Sequence, residues 1–175
     1  MVEYVVEAKS RRQLRSLASI LRKHLGLENE LYFPVVELLD VMYEIFPRFS
    51  YEIVPDSTFP SNVHADTDVM NHHIRIKESV YNGATEENGR DRMTIAHEIG
   101  HYFNLCFCGF QFQRNFKKEV VPAYRSPEWQ AKCFAGELLI DFDLVYNMQP
   151  YEIVDKCGVS YEAAYYQYNQ IHKTA

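Results

Sequence analysis

The sequence predicts one α+β domain that is mostly helical and has a small antiparallel sheet in its first half. Three observations support this class. The chain has 175 residues, a length that suits a single compact domain with a real core. Apolar residues recur with helical period over most of the chain, whereas strand-like alternation is confined to about residues 49–77. We therefore treat residues 1–175 as one domain.

The N-terminal part predicts two amphipathic helices. Ser10 can cap the first, which spans about residues 11–25 and can stop at Gly26. The second begins near Pro34 and ends before Pro47. The stretches "FSYEIV", "NVHADTD" and "HHIRIK" then alternate or are rich in β-branched residues, and they predict the strands of the sheet.

The C-terminal part is helical again. Ser126 can cap a helix that has Pro127 at its first position. A short helix, a "CGVS" turn and a last helix follow within about residues 150–173, in a layout that resembles a helix-turn-helix. We expect this segment to serve in packing or as a docking surface for the substrate. The preceding stretch after Gly109, about residues 110–127, reads as a long connection near the site described below.

Composition excludes several classes of function. The formal net charge is −6 and the pI about 5.6, so a direct nucleic-acid partner and an anionic membrane surface are both disfavoured. The sequence has neither a long apolar span nor a signal peptide, and we expect a cytoplasmic protein. The four cysteines form no CxxC pair, so free thiols are expected.

The chemically informative stretch is "TIAHEIGHYF", residues 94–103. On a helix, His97 and His101 project side by side, about 6 Å apart along the axis, and can share one metal ion. Glu98 lies about 100° round from His97, where it can serve a water on the same ion as a base. Apolar neighbours indicate that this helix is buried, and Gly100 is best explained if another backbone approaches there.

A metal site needs at least one more protein ligand, and the downstream carboxylates include Glu128, Glu137, Asp141 and Asp143. On a helical wheel Glu128 falls on the core-facing side, whereas Glu137 points the opposite way. We favour Glu128 as the ligand over the alternative that it only complements the helix dipole. Two imidazoles and one carboxylate favour one Zn²⁺ per chain.

Four other side chains could in principle join the metal. Cys106 and Cys108 follow the motif but point in different directions, and His72 and His73 are expected to be exposed residues; we disfavour all four as ligands. The strand "HHIRIK" could instead pair with an extended substrate as an added strand.

Two segments together resemble a known family. "RDRMTIAHEIGHYF", followed some thirty residues later by "PEWQAKCFAGELL", is similar to the ImmA/IrrE zinc metallopeptidases. The resemblance implies a zincin-like fold, with zinc bound by His97, His101 and Glu128 and with Glu98 as catalytic base. It also implies a substrate among the helix-turn-helix repressors of phages or mobile elements. Ile140 and Asp141 depart from the "MP" that is usual in the family.

The predicted activity is therefore hydrolysis of a peptide bond in a cytosolic bacterial protein. Tyr102, Tyr124 and Arg125 are candidate oxyanion or substrate contacts, because they lie close in sequence to the ligand helices. Two alternatives remain. The C-terminal segment could bind DNA, although its last helix presents tyrosines where a recognition helix needs basic residues. The protein could also bind metal and sequester a repressor without cutting it.

Overall fold

The computed structural model describes residues 4–108, 113–114 and 121–173. Within them the chain is mostly helical and has a small sheet, so the predicted α+β class is confirmed. The helices are α1 (Arg11–His24), α2 (Val35–Ile45), α3 (Glu78–Thr85), α4 (Gly89–Cys108), α5 (Pro127–Leu139), α6 (Phe142–Val145), α7 (Pro150–Cys157) and α8 (Tyr161–His172). The strands are β1 (Tyr4–Val5), β2 (Ser50–Val54), β3 (Ala65–Asp68), β4 (His73–Lys77) and β5 (Gln113–Arg114). Short 3₁₀ turns occupy Asp56–Thr58 and Ala123–Arg125.

The main sheet is mixed, and the prediction of an antiparallel sheet was wrong. Its strand order is β2-β4-β3, with β4 parallel to β2 and antiparallel to β3. The reason lies in residues 55–64, which are too long for a tight hairpin. This connection carries the chain from β2 to the opposite edge of the sheet, where β3 lies. The β3–β4 hairpin then places β4 between β3 and β2. Strands β1 and β5 form a separate antiparallel pair.

Helix α4 occupies the centre of the core. Its residues Ile95, Ala96 and Ile99 are fully buried, and it packs against α5, α3 and β3. Arg92, near the start of α4, is also buried; its guanidinium donates to the backbone carbonyls of Phe33, Cys157 and Gly158. These bonds satisfy a charge that would otherwise be costly to bury and fix α4 against the C-terminal helices.

Helix α1 is fastened to α5 by a buried carboxylate. Glu137 accepts hydrogen bonds from Arg11 at 2.9 Å and from Arg15 at 2.7 Å, and its side chain has no exposed surface. The capping box of Ser10 and Gln13 begins α1, as the sequence predicted for Ser10. These contacts hold α5 at a fixed position relative to the rest of the core.

Helices α7 and α8 follow as a pair. Gly158 ends α7 in the left-handed conformation, and Ser160 caps α8. No helix in the described part of the chain is long and apolar enough to cross a membrane.

Candidate metal centre

Two elements bring the candidate ligands together. His97 and His101 lie one turn apart on α4, and Glu128 lies in the first turn of α5. The helices can meet closely because Gly100 has no side chain: a Cβ there would lie 2.8 Å from the carbonyl oxygen of Ala131. The prediction that another backbone approaches Gly100 is therefore confirmed.

Glu128 lies near the imidazoles, but the predicted reason was wrong. Its side chain is 74% exposed and does not lie on a core-facing stripe. Ser126 caps α5 by accepting from the backbone N–H of Trp129, and Pro127 takes the first helical position, as predicted. Glu128 follows Pro127 in the first turn of α5, which lies outside the core. Its carboxylate therefore reaches both histidines from the exposed end of the helix.

The spacing of the three ligand groups suits a metal ion. The two Nε2 atoms of His97 and His101 are 3.1 Å apart. Glu128 Oε2 is 3.3 Å from His97 Nε2, and its Oε1 is 3.2 Å from His101 Nε2. Metal–ligand bonds of about 2.0–2.1 Å at tetrahedral angles place ligand atoms about 3.3–3.4 Å from each other. The three side chains could therefore hold a metal ion without moving far.

The local electrostatics favour an ionised carboxylate at this position. Hydrogen bonds from His101 and then from His97 hold the pKa of Glu128 below its usual range. The N-terminus of α5 adds a favourable dipole, so the dipole contact offered as an alternative role accompanies the histidine contacts. A negatively charged oxygen is the form that ligates a cation.

Glu98 points to a different neighbour. It is 8% exposed, and its Oε2 accepts a hydrogen bond from the Thr67 hydroxyl of β3 at 2.7 Å. Glu98 is not a member of the three-residue ligand group, which agrees with the prediction that it is too far round the helix to ligate comfortably. Sequence reasoning missed Thr67: alternation in "NVHADTD" predicted a strand but not which side chain meets α4.

Of the three further site candidates, Tyr102 is fully buried. Its hydroxyl lies 2.9 Å from Nδ1 of His72, its ring packs edge-on against Phe46 and Phe49, and burial raises its pKa. A direct contact with substrate would require this side chain to move out of the core. Its role at an oxyanion stays a prediction.

Tyr124 and Arg125 lie in the 3₁₀ turn immediately before α5. This turn is tied to the N-terminal segment, since the N–H of Val6 donates to the Arg125 carbonyl and that of Lys9 to the Tyr124 carbonyl. The buried Gln130 amide also donates to the Tyr124 carbonyl, at 2.8 Å. Tyr124 is half exposed, so its side chain is accessible at the approach to α5. No contact tests the predicted roles of these two residues.

Three of the disfavoured ligands, His72, His73 and Cys106, are not part of the candidate metal group. His72 occupies a turn with φ 55° and contacts Tyr102, whereas His73 contacts Ser50 on β2. Cys106 is exposed and is not part of the candidate group. The side chain of Cys108 lies outside the described residues.

The C-terminal pair shows the tyrosine-rich face that the sequence predicted. The large exposed side chains of α7 and α8 are Tyr151, Tyr161, Tyr165 and Tyr166. The opposite face of α8 is buried, and Gln167 accepts there from Arg11 of α1 at 3.2 Å. This arrangement resembles a packing element more than a basic recognition helix.

Comparison with known proteins identifies a similar fold. No family model matches the sequence, and the comparison with curated proteins gives no match. Among the solved structures that match is a Mycobacterium tuberculosis transcriptional regulator, with a TM-score of 0.59 and 14% identity. The match covers 90% of this chain and 46% of that chain, so this chain spans about half the length of that protein. At this identity the likeness concerns the fold alone.

Proposed function

We propose that this chain is a zinc-dependent endopeptidase of zincin-like fold that acts on a cytosolic bacterial protein. The observation that carries the proposal is the set of 3.1–3.3 Å separations among His97, His101 and Glu128, with Glu98 adjacent in sequence to the first of them. A structural zinc site would be expected to have a fourth protein ligand. Among the described residues the group contains three, which suits a catalytic site.

The chain's own residues supply the remaining functions of a hydrolytic site. Bound zinc polarises a substrate carbonyl and makes water more acidic. In this proposal Glu98 accepts a proton from the attacking water and delivers it to the leaving amine. Because the attacking nucleophile is water, no covalent link between chain and substrate is required.

Among the described residues, the main sheet offers an extended peptide an unpaired edge beside Glu98. The suggestion that "HHIRIK" pairs with substrate was wrong, since β4 has β2 on one side and β3 on the other. Strand β3 lies at an edge of the main sheet and carries Thr67, the partner of Glu98. We therefore assign substrate pairing to β3.

For the substrate we propose a helix-turn-helix repressor of a phage or mobile element. The ImmA/IrrE-like motifs in residues 90–103 and 127–139 support this choice. The acidic chain does not suit direct contact with DNA. We therefore propose a protein, rather than DNA, as the binding partner.

The test compares the unaltered protein with Glu98→Gln. Both are supplied with zinc and incubated with repressors encoded beside this protein and with a proteome-derived peptide library, and new N-termini are identified by mass spectrometry. We expect cleavage by the unaltered protein, its loss with chelator, and its loss in Glu98→Gln while zinc stays at about one per chain. Glu162→Gln, on the exposed side of α8, is the matched control and should cleave normally.

Two results would redirect the assignment. If Glu98→Gln relieves repression as well as the unaltered protein, the protein sequesters its partner without cutting it. If no zinc binds at all, the proposed centre is wrong.

A further inference from the structure

The carboxylate of Glu98 is held by a residue from a different element. The Thr67 hydroxyl lies 2.7 Å from Glu98 Oε2 and 3.2 Å from the Glu98 backbone oxygen. A hydroxyl has one proton, so the shorter contact is the donated hydrogen bond. Among the described residues this is the hydrogen bond given to the Glu98 side chain.

The register of the hairpin determines which side chain of β3 meets Glu98. Thr67 pairs with Ile74 of β4, whose side chain is buried, and therefore faces α4. Its neighbour Asp66 pairs with Arg75 and bonds to it on the opposite face at 2.9 Å. A shift of one residue would bring an aspartate toward Glu98 in place of a hydroxyl donor.

We propose that Thr67 is a positioning residue for the base: it anchors Oε2 of Glu98 so that Oε1 faces the reacting water. This inference rests on the proposed function. Glu98 is nearly closed to solvent, and a buried carboxylate without a donor would turn toward any available cation or N–H. Threonine suits the task because its β-branched side chain has few rotamers and holds the hydroxyl in one place.

The test uses Thr67→Val, which keeps the shape and removes the hydroxyl, and Thr67→Ser, which restores it. We expect Thr67→Val to lower kcat about tenfold or more with KM changed less than about twofold, as expected when a catalytic group is misplaced. Zinc content should stay at about one per chain in both variants. Thr67→Ser should recover kcat to within about threefold of the unaltered protein.

Thr85→Val is the matched control, because the Thr85 hydroxyl bonds to the Asn82 carbonyl within its own helix. It should not alter kcat. If Thr67→Val does not fold, as judged by circular dichroism, Thr67→Ala takes its place with the same expectation. A purely structural threonine would change the free energy of unfolding and leave kcat of the folded protein intact.

The outcomes separate the two hypotheses. Normal kcat in folded Thr67→Val, or no recovery in Thr67→Ser, overturns the role of Thr67 while the unaltered protein still cleaves and Glu98→Gln does not. Absence of any turnover by the unaltered, zinc-loaded protein overturns the proposed function, and this inference with it.

Discussion

The contact between α4 and α5 at Gly100 allows a quantitative test of how the candidate metal centre is built. In Gly100→Ala the new Cβ would lie 2.8 Å from the Ala131 carbonyl oxygen and 3.1 Å from its Cα. Ordinary van der Waals contact begins at 3.4 Å, so the helices must separate by about 0.6 Å, the difference between 3.4 and 2.8 Å. The obstructing atoms belong to a helix backbone and cannot rotate away.

Two opposing terms set the effect on stability. Alanine is favoured over glycine in a helix interior by about 1 kcal/mol, whereas overpacking a closed contact costs about 1–3 kcal/mol. We therefore expect a net loss of about 0–2 kcal/mol in the free energy of unfolding. The effect on metal binding should exceed the effect on the free energy of unfolding. The reason is that His101 adjoins Gly100 and Glu128 lies three residues before Ala131. Zinc affinity should fall about 10- to 100-fold, as when other supporting contacts of a metal site are lost.

Gly136→Ala provides the matched control on α5. A Cβ at Gly136 would lie 3.3 Å from Oε1 of Gln167, the far end of a flexible side chain. This variant should be neutral or more stable by up to about 1 kcal/mol and should bind zinc normally. Chelator competition measures affinity, and urea denaturation of the metal-free proteins measures stability. Unchanged zinc affinity in Gly100→Ala, together with a gain in stability equal to that of Gly136→Ala, would refute the close-packing argument.

The remaining predictions concern other glutamates and the thiols. Glu128→Ala should lose most of its zinc affinity with little change in the stability of the metal-free protein, because its side chain is largely exposed. Glu137→Ala should lower the free energy of unfolding by about 2–4 kcal/mol, because it leaves Arg11 and Arg15 without their buried partner. Equal stability of Glu128→Ala and Glu137→Ala in urea denaturation would contradict this. Burial raises the pKa of Cys133 to about 12 and that of Cys157 to about 11. At pH 8 iodoacetamide should therefore label the exposed Cys106 far faster than either, which peptide mapping by mass spectrometry would check. Above the ordinary thiol pKa of 9.0 the unfolded chain loses these protons first, so the free energy of unfolding should fall as the pH rises.

The helices and the histidine pair of the candidate metal group could be read from the sequence because each depends on local pattern. Each of these signals acts within a single helix: the period of apolar residues, the caps at Ser10 and Ser126, and the four-residue histidine spacing. Gly100 was informative because glycine destabilises a helix interior, so a compensating contact with another backbone was expected. Glu128 was selected from a helical wheel that treats every turn alike, and it proved to be exposed because the first turn of α5 extends beyond the core.

Two features that depend on contacts between distant segments were not predicted. Alternation identified β2, β3 and β4 but carries no information on their order, so the parallel pairing of β2 with β4 was missed. Thr67 was missed for the same reason, since its contact with Glu98 depends on both the hairpin register and the docking of the sheet on α4. Local pattern identifies an element, but its neighbours follow from the whole fold.

Under the proposed function, the geometry of α4 makes metal binding and base placement separable properties. Successive helical residues point about 100° apart, so His97 and Glu98 contact different elements of the fold even though both can reach one bound water. The histidines face α5, which brings Glu128, and the glutamate faces β3, which brings Thr67. A change that shifts α5 should therefore weaken zinc binding first, whereas a change in β3 should lower turnover while zinc remains bound. If both kinds of variant lost metal in parallel, the two faces of α4 would not act independently and the assignment of Thr67 and Glu128 to different tasks would fail.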